Sequence, residues 1–256
     1  MKINNLRRFL KLLPITYCLL LIATTPSVLK AQGTVYGIKG GLAVGNQSYN
    51  DGGTSSNGLL FKPYGDFLIE SAPADNSGVM YMQVGYHPRG HAQRFPSGEY
   101  TTPQGPVAFE GFTQEFIFQN IGLTVGFKKR NILNNPNAYY LLGLRAEYTV
   151  SNNLATASNS GGFYSPYALQ SEYVKNFVYG LSLGGGYEFP FSELTGGFIE
   201  FSVHPDIGRQ YYQPALSNVI VQQGQPNVSI SEQSIRNLSF EITVGFRFLR
   251  KIEYID

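Results

Sequence analysis

The chain has 256 residues, with 19 Lys and Arg against 17 Asp and Glu, 29 Gly, 18 Tyr, 18 Phe and one Cys. A formal charge of +2 on so sparsely charged a chain leaves no basic footprint for nucleic acid. The lone cysteine excludes a disulfide framework and Cys-rich zinc sites within the chain.

In chain order, residues 1–31 come first and read as a targeting segment. Lys2, Arg7, Arg8 and Lys11 make a basic start, Leu12 to Ala23 an apolar run, and Leu29-Lys30-Ala31 ends on a small residue. A run this short does not cross roughly 30 Å of hydrocarbon as a helix. A cleaved export signal is expected, cut between Ala31 and Gln32. Cys18 follows Thr16 and Tyr17 rather than the small residues a lipid anchor needs. Processing removes that cysteine and five of the basic residues, so residues 32–256 carry a formal charge near −3. No composition break divides them, and one domain is expected.

The mature part alternates. Successive side chains of a strand point to opposite faces. From Val35 to Gly45, Tyr36, Ile38, Leu42 and Val44 share one face, while Lys39, Ala43 and glycines share the other. From Leu59 to Glu70, Phe61, Phe67 and Ile69 oppose Lys62, Tyr64, Asp66 and Glu70. Met80, Met82, Val84 and Tyr86 then oppose Gln83, His87 and Arg89. The fourth segment, Phe112 to Phe127, is irregular: Ile121, Leu123, Val125 and Phe127 keep one face, but Phe116 and Phe118 fall on the other. Either a bulge near Gln119 flips the parity or the strand starts later.

The remaining segments are more regular. Tyr140, Leu142, Leu144 and Tyr148 oppose Arg145, Glu147 and Thr149; Phe177, Tyr179, Leu181 and Leu183 oppose Gly180, Ser182, Gly184, Gly186 and Glu188. Ile199, Phe201 and Val203 alternate with Glu200, Ser202 and His204, and Leu238 to Phe248 with Asn237, Ser239, Glu241, Thr243 and Arg247. Short connections at 72–77, 128–137 and 190–195 alternate with long polar ones at 46–57, 90–111, 151–172 and 205–234.

An even set of eight strands with short turns at one end and long loops at the other predicts an all-β fold. It is a single antiparallel up-and-down transmembrane β-barrel. A soluble secreted sandwich or barrel alternates too. The polar face here, however, is no solvated Lys/Glu surface: it mixes small residues with isolated charges of both signs. In an eight-stranded barrel that face fills the lumen, and charges there must pair. The expected lumen charge network is Lys39, Lys62, Asp66, Glu70, His87, Arg89, Arg145, Glu147, Glu188, Glu200, His204, Glu241 and Arg247. His91 is placed at the start of a loop and expected to be solvated. Tyr and Phe near strand ends suit an interfacial girdle, which places the chain in the bacterial outer membrane with membrane lipid around it.

Several of these stretches, in order, resemble the PorT-like outer-membrane β-barrel proteins of Bacteroidota. They are YGIKGGLAVGN at Tyr36–Asn46, VMYMQVGYHPRG at Val79–Gly90, NIGLTVGFKKR at Asn120–Arg130, AYYLLGLRAEYTVSN at Ala138–Asn152 and YGLSLGGGYEF at Tyr179–Phe189. The resemblance lies in strands rather than loops and implies location and architecture. It brings no catalytic motif. Envelope or secretion-machinery proteins are the partners it implies, and a monomer is expected.

No phosphate loop or metal-ligand spacing is present, so no cofactor is expected; Gly37, Gly40 and Gly41 lie within a strand and not at the strand-to-helix turn a dinucleotide fingerprint requires. The function expected is non-enzymatic: a barrel with a side-chain-filled lumen, acting through its surface loops or periplasmic rim in partner binding, envelope integrity or secretion. A small pore and a lipid-modifying enzyme using His87 or His204 are the alternatives.

Overall fold

The computed structural model describes residues 31–49, 57–73, 78–95, 97–102, 105–132, 134–154, 169–219 and 227–251. The segment expected to be a targeting signal lies outside them, save that Ala31 begins the first strand.

Eight long strands follow one another: β1 (Ala31–Tyr49), β2 (Leu60–Pro73), β3 (Gly78–Phe95), β4 (Phe112–Ile132), β5 (Asn135–Asn152), β6 (Phe177–Pro190), β7 (Thr195–Pro205) and β8 (Gln233–Lys251). Each pairs antiparallel with the next, and β8 returns to β1 from Gly33↔Lys251 to Tyr49↔Ile235. The ring is closed, so no strand is left with a free outer edge. Period-2 patterning becomes period-2 burial: in β5, Tyr139, Leu141, Gly143, Arg145, Glu147 and Thr149 are buried, while Tyr140, Leu142, Leu144, Tyr148 and Val150 are exposed.

The sheet is thus inverted relative to a soluble protein. Large apolar side chains such as Ile38, Phe67, Met82, Leu123, Leu144, Tyr179, Phe201 and Val244 stand outward, and charged ones are buried inside. In water this arrangement would expose an apolar belt around the whole molecule while burying its ions. In a bilayer both faces are satisfied, because closure pairs the backbone and hydrocarbon meets the belt.

The fourth strand resolves the parity conflict differently from either expectation. It begins at Phe112, not later. The bulge is real, since Gln119 pairs with Ser151 and Asn120 with Thr149, but the extra residue is Val150 on β5. The parity of β4 never flips. Phe116 and Phe118 point inward because they belong to the barrel's interior; Phe118 is fully buried. The expected loop at 90–111 is also partly strand: β3 runs on to Phe95, followed by a hairpin of Gly98–Thr102 against Gly105–Phe109. Likewise the connection expected at 128–137 shrinks, as β4 extends to Ile132 and β5 starts at Asn135. Beyond β7, Tyr211–Gln213 pairs with the start of β8, and Leu216–Val219 pairs with Val228–Ile230.

Candidate functional site

The interior of the ring is the candidate site, and it is built in tiers. Nearest the short turns, which face the periplasm in barrels of this type, Glu70 and Glu188 are bound by three cations. Lys128 Nζ lies 2.7 Å from an oxygen of each carboxylate, Arg130 Nη2 lies 2.6 Å from Glu70 and 3.2 Å from Glu188, and Arg247 Nη1 lies 2.6 Å from Glu188. Above them is an apolar layer of Leu68, Tyr81, Tyr139, Leu141 and Phe198. Lys128 Nζ sits 4.0 Å from the centre of the Tyr139 ring, so its charge is held partly by an aromatic face. That ring needs room. A Cβ on Gly186 would lie 2.5 Å from the Tyr139 hydroxyl, so the Gly-rich stretch of β6 lets the phenol pass.

The Tyr139 hydroxyl donates to Glu200 at 3.0 Å and leads into the central network. Lys39 donates to Glu200 at 2.7 Å and lies 3.8 Å from Asp66. His87 lies between Asp66 (2.8 Å from Nε2) and Glu241 (3.1 Å from Nδ1). A ring with carboxylates on both nitrogens donates to both only as imidazolium. Arg89 forks between Glu147 (Nη2 at 2.7 Å) and Glu241 (Nη1 at 2.9 Å). Arg145 joins Glu147 at 3.1 Å and contacts Asp206, which also accepts from the Asn237 amide at 2.8 Å. The cations Lys39, Arg89, Lys128, Arg130, Arg145 and Arg247 thus meet Asp66, Glu70, Glu147, Glu188, Glu200, Asp206 and Glu241, and an imidazolium at His87 balances the remaining carboxylate. Charges shut away from water are tolerable only when paired to this extent.

Next comes a neutral polar tier. Gln47 donates to Asn237 at 2.7 Å, and its carbonyl faces His91 Nδ1 at 2.6 Å. Gln210 donates to Thr149 at 2.9 Å. The mouth above is closed by Phe118, Leu154, Leu169, Tyr211 and Ile235, with Phe116, Tyr173 and Val174 packed against them. Burial in this cap raises the phenol of Tyr211 above its ordinary value, partly offset by the backbone N–H of Gln170.

Of the residues expected in the lumen, Lys39, Asp66, His87, Arg89, Arg145, Glu147, Glu200, His204 and Glu241 are buried there in one network, while Glu70 and Glu188, also buried, meet through Lys128 and Arg130. Arg247 stands at the periplasmic mouth, tied in through Glu188. Lys62 does not join them. It stands at the opposite rim, paired with Glu115 at 2.7 Å, with side chains 28% and 43% exposed. Lys62→Ala should therefore cost under about 1 kcal/mol, measurable as a small shift of the urea midpoint in detergent. His91 is a correction in the other sense: far from solvated, it is 2% exposed, because β3 continues past it and its ring stacks on Phe116 at 4.8 Å.

Sequence reading missed Lys128, Arg130 and Asp206. The two basic residues continue the inward parity of Asn120, Gly122, Thr124 and Gly126, a signal hidden by ending the strand at Phe127. Asp206 sits one residue beyond β7, where a bridge to Gly180 carries the pairing on.

A closed antiparallel ring with this exterior is a transmembrane β-barrel, and the chain is an integral outer-membrane protein. No protein-family model matches it, and no curated protein does. Among solved structures, it is similar to the outer membrane protein OprG from Pseudomonas aeruginosa (13% identity, TM-score 0.47, 86% of this chain and 99% of that one). It is similar too to Ail, the attachment invasion locus protein of Yersinia pestis (11%, TM-score 0.36, 84% and 99%), and to the outer membrane protease OmpT from Escherichia coli (12%, TM-score 0.34, 89% and 100%). Likeness at this level assigns no ligand and no residue role.

Proposed function

We propose that this is a non-enzymatic, PorT-like outer-membrane barrel, sealed through its lumen, that acts as a monomeric scaffold. Its loops or periplasmic rim engage an envelope or secretion-machinery protein. One observation carries the reading: the charges inside are matched, with one apolar layer between the two ionic tiers and another toward the extracellular mouth. A conducting pore needs water along its axis; here side chains occupy it. The arrangement of Ser202, His204 and Glu241 also argues against a hydrolase. Ser202 Oγ (2.9 Å) and Glu241 (3.0 Å) both meet His204 Nε2. A catalytic histidine takes the nucleophile's proton on one nitrogen while a carboxylate orients the other, and here the two partners compete for the same atom.

The test is single-channel recording of the purified protein in planar bilayers. The reading expects no steady conductance at moderate voltage. Stable open levels of a defined size would overturn it in favour of a small pore. Crosslinking in the native envelope, followed by identification of attached proteins, addresses the partner directly.

A further inference from the structure

The barrel wall is interrupted between β2 and β3 at the level of the outer leaflet, over a longer stretch than the short break between β6 and β7. Ladder pairs between β2 and β3 run from Glu70↔Tyr81 to Gly65↔Tyr86 and stop. Above that level, Leu60–Tyr64 pair with β1, and His87–Gly90 pair with β4. Among the described residues, contact resumes at Gly58↔Ala92 and Asn57↔Gln93, where a two-residue strand just ahead of β2 pairs with β3 one residue out of step with the ladder below. The ladders on either side, β1 with β2 and β3 with β4, run unbroken through the same level.

The gap has causes in the sequence. Continuing the lower register would set Pro63 opposite Pro88, and neither has an N–H to donate. Gly90 then takes φ +146°, a conformation side chains disfavour. The opening is filled by packing instead of hydrogen bonds. Leu60, 1% exposed, plugs it from strand β2, and a Cβ on Gly90 would lie 3.1 Å from the Leu60 Cδ2. Strand β1 closes in from the other side, where a Cβ on Gly45 would lie 2.6 Å from the Gly90 carbonyl oxygen. Outside, Leu59, Phe61 and Tyr86 are exposed, so the seam lies in the apolar belt. Parting β2 from β3 here breaks no hydrogen bond of the lower ladder and costs only the two bridges at Asn57 and Gly58 and the Lys62–Glu115 ion pair at the rim, whereas parting either neighbouring seam exposes a continuous run of backbone groups to hydrocarbon at several kcal/mol each. Local opening begins where least is lost.

We propose that the wall opens sideways at this seam, the extracellular half of β3 and β4 hinging at Tyr86–Pro88 away from Leu60–Tyr64. The motion uncovers Leu60 and the stacked His91–Phe116 pair to the outer leaflet while the periplasmic half of the barrel stays closed. This device is independent of which partner the loops engage.

Paired spin labels in lipid nanodiscs test it, on a Cys18→Ser background. Phe61→Cys with Gln119→Cys spans the gap from β2 to β4, and Phe67→Cys with Leu123→Cys spans the same strands below it. The gap pair is expected to show a second population longer by ~5 Å, about one strand spacing, and the lower pair a single narrow distance. Leu60→Ala, which removes the plug, should enlarge the longer population severalfold. One narrow distance for both pairs would overturn the proposal, as would equal broadening of both. Those comparisons stand even if Leu60→Ala fails to fold.

Discussion

Replacing Arg89 with alanine is expected to cost the barrel about 3–5 kcal/mol, the penalty typical of removing one partner from a buried ion pair. Arg89 is fully buried and is the cation that Glu147 and Glu241 share. Its loss leaves Glu147 with Arg145 and the Asn120 amide, and Glu241 with His87 and His204. Those contacts cushion the change but do not neutralise a carboxylate that no water reaches. The chain has no Trp, so unfolding is followed by heat-modifiable gel mobility across a urea series in detergent. A second variant separates charge from packing: Arg89→Met with Glu147→Gln removes a cation and an anion together and should regain much of the loss. A cost below about 1 kcal/mol for Arg89→Ala would show that water hydrates the interior, and the sealed-lumen reading would fall with it.

How much of this was legible in the sequence follows from what parity does and does not encode. Alternation is local, so it placed Lys39, Asp66, Arg145, Glu200 and Glu241 on one face without knowledge of their partners. What it does not encode is where a strand stops. The expectation ended the fourth strand at Phe127 and thereby missed Lys128 and Arg130, though their parity was continuous. A third strand that stops before His91 leaves the imidazole in solvent, whereas the longer strand buries and stacks it. Phe116 and Phe118 misled for another reason. Outward parity would place an aromatic residue against lipid, but the extracellular mouth of this barrel is itself apolar, and the lumen claims both rings. Pairings such as Arg89 with Glu147 and Glu241 depend on tilt and register around the closed ring, which no single segment carries. The seam between β2 and β3 lay half in view. Pro63 and Pro88 are plain in the sequence, yet only the register of the ladder below them shows that its continuation would bring them opposite each other.

The apolar belt yields the second large effect. Leu144 is 70% exposed and lies midway between Tyr140 and Tyr148 on the outer face of β5. Eight residues at ~3.4 Å each separate the tyrosines by about 27 Å along the strand, or about 19–22 Å of depth at a tilt of about 35–45°, which sets both rings just inside the edges of an apolar band about 25 Å tall. Leu144→Arg therefore puts a guanidinium near the bilayer midplane and should cost about 2–4 kcal/mol, whereas Tyr140→Arg, at the interface, should cost only about 0–1 kcal/mol from charge. The measurement is reversible folding into phospholipid vesicles under denaturant titration. The contrast between the two positions matters more than either value. A surface that met water would treat both substitutions alike, within about 0.5 kcal/mol, because an arginine on a hydrated strand loses no solvation. Only a medium whose dielectric falls with depth penalises the central position over the outer one. Equal costs at Leu144 and Tyr140 would mean that the belt does not face hydrocarbon, and the buried charges would then need another explanation for why they, and not the leucines, turn inward.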